Sequence, residues 1–335
     1  MAVTLVRMTR GDLVETIHSG DVVVTRADGA VVWSLGNPHL VTYMRSSAKP
    51  VQAIAAVEAG AVDRFGLAQH ELAVMCASHG GEPYHTQAVL SILTKIGLAE
   101  SDLGCGTHAP SYGPAAADLY RSGRAPSAVH NNCSGKHSGM LAGALALNAP
   151  TATYLDPGHP VQQRIVANIA AFGGIAASEV VLAVDGCSAP VFGVPLSAMA
   201  TMFARLVQPD GLPPAKAAAA RRITAAMQAH PMMIAGTGRF DTDVQTVAGA
   251  TVITKGGAEG VHCIGVPALG LGIAIKMEGG RGEATMPVAI EALRGLGVLD
   301  NGALGRLERY RRPEIKNVRG VVVGHAQVRF TFEGL

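Results

Sequence analysis

The sequence predicts an α/β protein of the α+β type, in which both ends of the chain build one antiparallel sheet and a helical middle covers it. Short alternating or β-branched runs, typical of strands, fill the chain up to about residue 45. Helical patterns follow, and runs typical of strands return after His230-Pro231. Because a sheet and its helices pack as layers around a core, this order favours one sheet flanked by helices.

The chain length of 335 residues suits one large domain or two closely joined subdomains. We predict a single domain over residues 1–335. Its sheet subdomain comprises about residues 1–45 and 231–335, and its helical middle comprises about residues 46–230. No internal repeat or low-complexity segment interrupts this order.

Turn signals and hydrophobic periodicity divide the chain into elements, and Ala27-Asp28-Gly29 predicts a hairpin turn. The predicted strands are Leu13–His18, Asp21–Arg26, Ala30–Ser34, Val41–Tyr43, a buried Val180–Val184, Gly249–Thr254, Val261–Val266, Leu269–Lys276, Val318–Val323 and Ala326–Phe332. The predicted helices run from Ser46 to Gly60 and over Pro83–Ile96, Met140–Leu147, Pro160–Phe172, Val194–Leu206, Ala215–His230 and Ala284–Leu296.

Composition excludes several classes of partner. The chain is 48% hydrophobic with a net charge of +2, which is typical of a globular core and too small a charge to indicate a nucleic-acid partner. No run of about twenty apolar residues indicates a membrane span. The first ten residues lack the pattern of a secretion signal, so we expect a cytoplasmic protein.

Ser46 and Lys49 stand three residues apart at the start of a predicted helix, so their Cβ atoms should lie about 5–6 Å apart on one face. A lysine with its ordinary pKa of about 10.4 is protonated at neutral pH and cannot act as a base. Burial or a neighbouring cation lowers that pKa. The spacing therefore suits a serine nucleophile beside a lysine base, although Ser46 or Ser47 could equally cap the helix.

A second lysine, Lys255, follows a predicted strand and could lower the pKa of Lys49 as a neighbouring cation. Ser-x-x-Lys with a later Lys-x-Gly strand is the layout of penicillin-recognising serine enzymes. Ser78 ends an apolar run, where it either caps an element or acts as a relay or second nucleophile paired with Lys255.

Five cysteines are an odd number scattered through a large chain, which in a reducing compartment favours free thiols or metal ligands over disulfides. Cys133, Lys136 and Cys187 form a candidate zinc set because thiolates suit zinc, with Zn–S distances of about 2.3 Å. The alternative is buried free cysteine, which is commoner. Asp185 shares a loop with Cys187, where it could bind a substrate ammonium or simply form a turn.

Five motifs stand along the chain. They are Met44-Arg45-Ser46-Ser47-Ala48-Lys49-Pro50, Cys76-Ala77-Ser78-His79, Asn131-Asn132-Cys133-Ser134-Gly135-Lys136-His137, Val184-Asp185-Gly186-Cys187-Ser188-Ala189-Pro190 and Thr254-Lys255-Gly256-Gly257. Taken together, these motifs resemble the L-asparaginase II family of the inducible, thermolabile rhizobial type. The resemblance covers essentially the whole chain, and the motifs around Cys133 and Cys187 are the most specific.

The resemblance implies a serine β-lactamase-like fold, a homodimer, and hydrolysis of L-asparagine to L-aspartate and ammonia. It also implies two serine–lysine tandems, Ser46 with Lys49 and Ser78 with Lys255. Ser46 would attack the side-chain amide carbon, Lys49 would take its proton, and the second tandem would relay protons and hold Lys49 neutral.

The resemblance further implies a zinc ion beside the substrate, held by the positions that match Cys133, Lys136 and Cys187. The metal need not be catalytic, and it could orient Asp185 and the α-amino end of the substrate. Arg45 and His137 are further candidates for contacts to the substrate carboxylate and amide.

The chain departs from the β-lactamase pattern because Ser-Asp-Asn is missing and Lys-Thr-Gly appears as Lys255-Gly256-Gly257, which argues against penicillin chemistry. Two alternatives to an asparaginase stay open. The first is another serine amidase or esterase that acts on glutamine, a peptide or a β-lactam. The second is a zinc-containing amino-acid-binding protein without turnover, which the presence of Ser46, Lys49 and Lys255 disfavours.

Overall fold

The computed structural model describes residues 2–332. The strands are β1 Val3–Arg10, β2 Leu13–Arg26, β3 Val31–Leu35, β4 Val41–Tyr43, β5 Val181–Val184, β6 Pro190–Pro195, β7 Ile253–Gly257, β8 Val261–Val266, β9 Leu271–Met277, β10 Glu314–Lys316 and β11 Val322–Val328. The helices are α1 Lys49–Glu58, α2 Ala61–Arg64, α3 Gln69–Met75, α4 Pro83–Lys95, α5 Gly113–Arg121, α6 Ser134–Ala146, α7 Pro160–Gly173, α8 Leu196–Val207, α9 Pro214–Ala229, α10 Pro231–Ile234, α11 Phe240–Ala248, α12 Thr285–Gly295, α13 Asn301–Arg306 and α14 Glu308–Arg311.

An eight-stranded sheet joins the two ends of the chain, with strand order β10-β11-β1-β2-β9-β8-β7 and β3 paired to β2. All of its pairings are antiparallel. The junction between the ends is the pairing of β2 with β9, in which Val23 lies opposite Ala274. This architecture confirms the predicted fold class, an antiparallel sheet from both ends with a helical middle.

Successive side chains of the central strands point to opposite faces of the sheet. Both faces are buried. Val22 and Val24 of β2 pack with Ile273 of β9 on one face, in a core shared with α12, α13 and α14. Val23 and Ala274 face the other way, into the larger core of the helical middle. The sheet is therefore the central layer between two sets of helices.

Helix α8 packs directly on the sheet because a strand residue opposite it has no side chain. A Cβ at Gly272 of β9 would collide with the backbone of Ala200 and Ala204 in α8. The close approach fixes the helical middle against the strands.

A second, three-stranded sheet with the order β4-β6-β5 lies within the middle of the chain. Strand β4 ends two residues before Arg45, and β5 ends immediately before Asp185. Both strands pair antiparallel with β6, so their ends bring the two predicted site residues to the same edge of this small sheet. The prediction of a strand at Val180–Val184 is confirmed, but the prediction that it is buried is wrong, since Val184 is 76% exposed.

Other differences concern segments whose local pattern was ambiguous. Strand β1 was not predicted, and the two strands predicted over residues 13–26 are one continuous strand. Residues 231–248 form α10 and α11 rather than the start of the returning strands. In place of the strands predicted at 318–323 and 326–332, the chain forms β10 and β11, which lie at different positions in the sequence. Among the described residues, every helix is too short or too polar to cross a bilayer.

Candidate functional site

Ser46 lies in a 3-10 turn, Arg45–Ala48, that leads directly into α1. Arg45, the residue before the serine, has a φ of +51°, a left-handed conformation that costs a non-glycine residue about 1–3 kcal/mol and is concentrated at functional sites. Proline at the first turn of α1 is compatible with the helix because the amide it lacks would be unpaired there. The turn therefore presents Ser46 at the start of a helix.

Lys49 follows this turn as the first residue of α1 and is buried. Its amine donates three hydrogen bonds. Its Nζ donates to the Ala77 carbonyl at 2.6 Å, to Ser78 Oγ at 3.0 Å and to the Asn132 carbonyl at 3.2 Å. Within residues 2–332 no side-chain hydrogen bond joins it to Ser46, so the lysine contacts the second predicted serine directly. Burial lowers the pKa of Lys49 below its ordinary value.

Lys255 lies on β7 and is 1% exposed, with its Nζ 2.7 Å from the carbonyl oxygen of Gly256. Burial lowers the pKa of this lysine to about 8, although the Asp241 carboxylate opposes the shift. A Cβ at Gly257 would lie 2.7 Å from the Met44 carbonyl. The second glycine of Lys-Gly-Gly thus lets β7 approach the turn that carries Ser46.

Asp241, on α11, is a buried site residue that the sequence analysis did not identify. Its carboxylate contacts the Gly256 amide at 3.0 Å, Thr254 Oγ1 at 3.2 Å, His262 Nε2 at 3.3 Å and Lys255 Nζ at 3.7 Å. Burial alone would raise its pKa, but the hydrogen bond and charge of His262 and the charge of Lys255 hold the pKa of Asp241 well below its usual range. The carboxylate is therefore an anchor for β7 and its lysine.

The two serines and Lys255 open onto one cavity of about 320 Å³. Asp241 and His262 lie on the sheet side of this cavity, next to Lys255. The remaining lining residues are Asn132, Ala235, Arg239, Phe240, Gly256, Gly257, Ala258, Val261, Gly282, Thr285 and Met286. The structure thus brings together the hydroxyls and lysines of all four predicted catalytic positions, with Lys49 held behind Ser78.

The three predicted metal ligands meet at the start of α6. Lys136 Nζ lies 2.9 Å from Cys187 Sγ, and Cys133 Sγ lies 3.0 Å from the side-chain oxygen of Asn132. A hydrogen bond to Cys187 lowers the pKa of the Cys133 thiol well below its usual value, and nearby lysine charges contribute. Both cysteines are free and buried. Two sulfurs and an amine converge in one buried cluster.

The predicted substrate-binding residues Arg45 and Asp185 form an ion pair, with Nε 2.9 Å from Oδ1. Glu259 adds a longer contact to the guanidinium at 3.7 Å. Although burial opposes it, the Gly186 amide and the Lys136 and Arg45 charges lower the pKa of Asp185.

Backbone strain is concentrated around this ion pair. Arg45, Ser188 and Glu259 are three of the four non-glycine residues with positive φ in the described chain. The turns that carry the ion pair and Cys187 are therefore held in demanding conformations, which is common where a site must be preorganised.

His137 is fully buried on α6 and does not line the 320 Å³ cavity. Its Nδ1 lies 2.6 Å from the Tyr154 hydroxyl, and its Nε2 has no hydrogen-bond partner among residues 2–332. Burial and the Lys136 charge lower its pKa well below the ordinary value, so this imidazole is neutral. A contact between His137 and the substrate amide stays a prediction.

The model of the family described as L-asparaginase II matches residues 6–328 of this chain. The chain belongs to the L-asparaginase II family. Membership implies an amidohydrolase of amino-acid amides, which agrees with a cavity that collects two serine hydroxyls and a lysine of lowered pKa. The recognition made from the five sequence motifs is thereby confirmed.

Several solved structures are distantly similar to this L-asparaginase II chain. Mglu in its native form is 17% identical, with a TM-score of 0.46 over 85% of this chain and 67% of that one. A β-lactamase from Mycobacterium bovis is 12% identical, with a TM-score of 0.42 over 84% and 95%. A D-alanine carboxypeptidase from Burkholderia cenocepacia is 14% identical, with a TM-score of 0.39 over 86% and 92%. No curated protein matches the chain.

The geometry yields a prediction about Lys255 that does not depend on substrate. We expect the Lys255 amine of this L-asparaginase II chain to titrate near pH 8, because burial disfavours the ammonium. The amine is then neutral above that pH and charged below it. The Asp241 carboxylate favours the ammonium, so Asp241→Asn should move the midpoint to lower pH. Both midpoints can be measured by NMR on protein labelled at lysine Cε, with the signal assigned from Lys255→Arg.

An unchanged midpoint in Asp241→Asn, in protein shown to be folded, would contradict the coupling between the two side chains. Asp243→Asn is a matched control, since Asp243 is on the same helix but pairs with Arg309 outside the cavity.

Proposed function

We propose that the protein is an L-asparagine amidohydrolase that releases L-aspartate and ammonia through a serine nucleophile. The observation that carries the proposal is the 320 Å³ cavity, in which Ser46 and Ser78 open beside Lys255 while Lys49 contacts Ser78 from behind. Hydroxyls need a neighbouring base to attack an amide, and a buried lysine with a lowered pKa is such a base.

In the proposed mechanism Ser46 Oγ attacks the side-chain carbonyl carbon of the substrate. Lys49 receives the proton in its neutral form, in which two N–H groups stay on the backbone carbonyls and the lone pair faces Ser78 Oγ at 3.0 Å. Ser78 passes the proton on, because the lysine makes no side-chain bond to Ser46. This route modifies the predicted tandems, in which Lys49 would deprotonate Ser46 directly. Lys255, neutral above about pH 8, faces the same cavity and can exchange protons with the leaving amine or the hydrolytic water.

The position of Ser46 at the start of the 3-10 turn and α1 also supports stabilisation of the oxyanion. Backbone amides at the start of a helix point outward without intrahelical partners. The amide of Ser46 is our candidate donor, and one such donor contributes about 2.7–4 kcal/mol in serine hydrolases.

The ion pair between Arg45 and Asp185 suits the other end of asparagine. The α-carboxylate and α-ammonium of an amino acid carry charges complementary to a guanidinium and a carboxylate. The substrate can therefore replace one ion pair by two charge-assisted contacts, which are stronger than neutral hydrogen bonds. Asp185 would hold the ammonium and Arg45 the carboxylate.

Zinc is part of the proposal because the donor set fits it. Cys133, Lys136 and Cys187 would hold the ion, since two thiolates and an amine leave one position of a tetrahedral site for another ligand. When bound, zinc would supply a positive charge beside Asp185 and the α-amino end of the substrate. Among residues 2–332 no three His, Cys, Asp or Glu side chains form an alternative cluster.

Glutamine and other amides remain alternative substrates on the same machinery, and their relative rates decide the specificity. A binding protein without turnover is disfavoured because Ser46, Ser78 and Lys255 are all present and face one cavity. The homodimer and the cytoplasmic location implied above stay predictions.

The first test is ammonia release with L-asparagine and, separately, with L-glutamine. We expect release from asparagine, and we expect Ser46→Ala to lower kcat by at least about a thousandfold because the nucleophile is lost. Ser47→Ala is the matched control, because Ser47 Oγ is buried, donates a hydrogen bond to the Met44 carbonyl and does not line the cavity. Full activity in Ser46→Ala would place the nucleophile elsewhere.

The second test is the zinc content of the purified protein by elemental mass spectrometry. We expect about one zinc per chain, and we expect Cys133→Ser and Cys187→Ser each to lose it because a hydroxyl is a much poorer zinc ligand than a thiolate. Cys105→Ser is the control, since burial raises the pKa of Cys105 to about 11 and the thiol stays neutral. Zinc retained in both ligand variants would contradict the assignment.

A further inference from the structure

The 320 Å³ cavity extends to one side of the two serines. Its lining includes Ser46 and Ser78 but neither residue of the Arg45–Asp185 ion pair. None of the cluster Cys133, Lys136 and Cys187 lines it either. If the α-amino and α-carboxyl groups of the substrate bind at the ion pair, they lie outside this lining, and the cavity beside Ser46 can receive the amine that leaves the scissile carbonyl.

The cavity is much larger than ammonia requires. A molecule the size of water or ammonia occupies about 30 Å³ in a liquid, whereas the cavity has about 320 Å³. Its lining includes the apolar side chains of Phe240 and Met286 together with Thr285. A leaving amine with several non-hydrogen atoms therefore fits beside the serines.

The charge of this cavity favours an anionic leaving group. The Asp241 carboxylate is already engaged by the Gly256 amide, His262 and Lys255. Arg239 lines the cavity, donates to Ser111 Oγ at 3.2 Å, and has no ion-pair partner among residues 2–332. A guanidinium without a carboxylate partner suits a carboxylate ligand, because the pairing is bidentate and charge-assisted.

Arg239 also belongs to a loop that is held in place. The buried Glu82 carboxylate accepts hydrogen bonds from the Thr237 amide at 2.8 Å and from the Thr237 hydroxyl at 2.7 Å. The Ser78 amide donates to the Ile234 carbonyl at 2.9 Å, which ties the start of the same loop to the second serine. These hydrogen bonds fix the backbone of the loop that carries Arg239 relative to Ser78.

We propose that the site also hydrolyses β-aspartyl dipeptides, in which the side-chain carbonyl of aspartate is joined to the amine of a second amino acid. The proposal rests on the proposed function and extends its substrate class. The carboxylate of the second amino acid would pair with Arg239, and its side chain would pack against Phe240 and Met286.

The chemistry is that of asparagine with a larger amine. Ser46 Oγ forms an ester bond with the side-chain carbonyl carbon, the C–N bond breaks, and the leaving nitrogen takes one proton to depart as a free amino acid. Water then adds to the ester, releasing aspartate and returning the proton to Ser46. The sum is dipeptide plus water to aspartate plus amino acid, with no oxidant, reductant or further reactant.

The experiment measures kcat/KM of the purified full chain for L-asparagine, for β-L-aspartyl-L-alanine and for the same dipeptide with its C-terminal carboxylate amidated. We expect alanine to be released from the dipeptide. For the amidated form we expect kcat/KM to be lower by about tenfold or more, because the ion pair to Arg239 is lost. Arg239→Gln should lower kcat/KM for the dipeptide at least about tenfold more than for asparagine. The exposed Arg319 supplies the control variant Arg319→Gln.

Asparagine hydrolysis without dipeptide hydrolysis would overturn this inference and leave the proposed function intact. Hydrolysis of neither would overturn the proposed function itself. If Arg239→Gln lowers kcat/KM equally for asparagine and the dipeptide, Arg239 binds the α-carboxylate of the substrate and the cavity is not a leaving-group site. Equal rates for the free and amidated dipeptides would likewise exclude a role for the carboxylate.

Discussion

The burial of two lysine amines beside two serines is the constraint on which the site depends. Low polarity disfavours the ammonium form, so burial lowers the pKa of both Lys49 and Lys255. It also requires hydrogen-bond or charge partners for the two amines that it encloses. The backbone carbonyls on Lys49 and the carboxylate of Asp241 beside Lys255 meet that requirement.

These partners come from both parts of the fold, which explains why the site lies where the sheet meets the helical middle. Lys49 comes from α1, and its partners Ala77 and Asn132 follow α3 and precede α6. Lys255 comes from the edge strand β7, whose backbone reaches the turn of Ser46 only because Gly257 has no side chain. The Lys49 partners all belong to the helical middle, and the Lys255 partners all belong to residues 231–335. A shift between sheet and helices would therefore separate the two lysines, so the core also holds the two halves of the site together.

Sequence patterns predicted the sheet-helix-sheet order and brought Ser46, Lys49 and Lys255 into one hypothesis, because motif spacing and hydrophobic periodicity are local properties. They did not predict Asp241, whose carboxylate partners lie 13 or more residues away and whose helix α11 was expected to belong to the returning strands. Nor did they predict that Lys49 contacts Ser78, 29 residues distant. Such pairings depend on how the elements pack. The Asn-Asn-Cys and Asp-Gly-Cys motifs indicated that two distant loops would meet, and the serine–lysine motifs indicated that Lys255 would lie near Ser78.

The most direct test of the central claim is to find the serine that carries the acyl group. Protein turning over L-asparagine would be quenched in acid, which preserves esters, digested with pepsin and sequenced by mass spectrometry. The account predicts an aspartyl ester on Ser46, with neither Ser47 nor Ser78 modified. An ester on Ser78, which contacts Lys49 at 3.0 Å, or a thioester on Cys133 would contradict it.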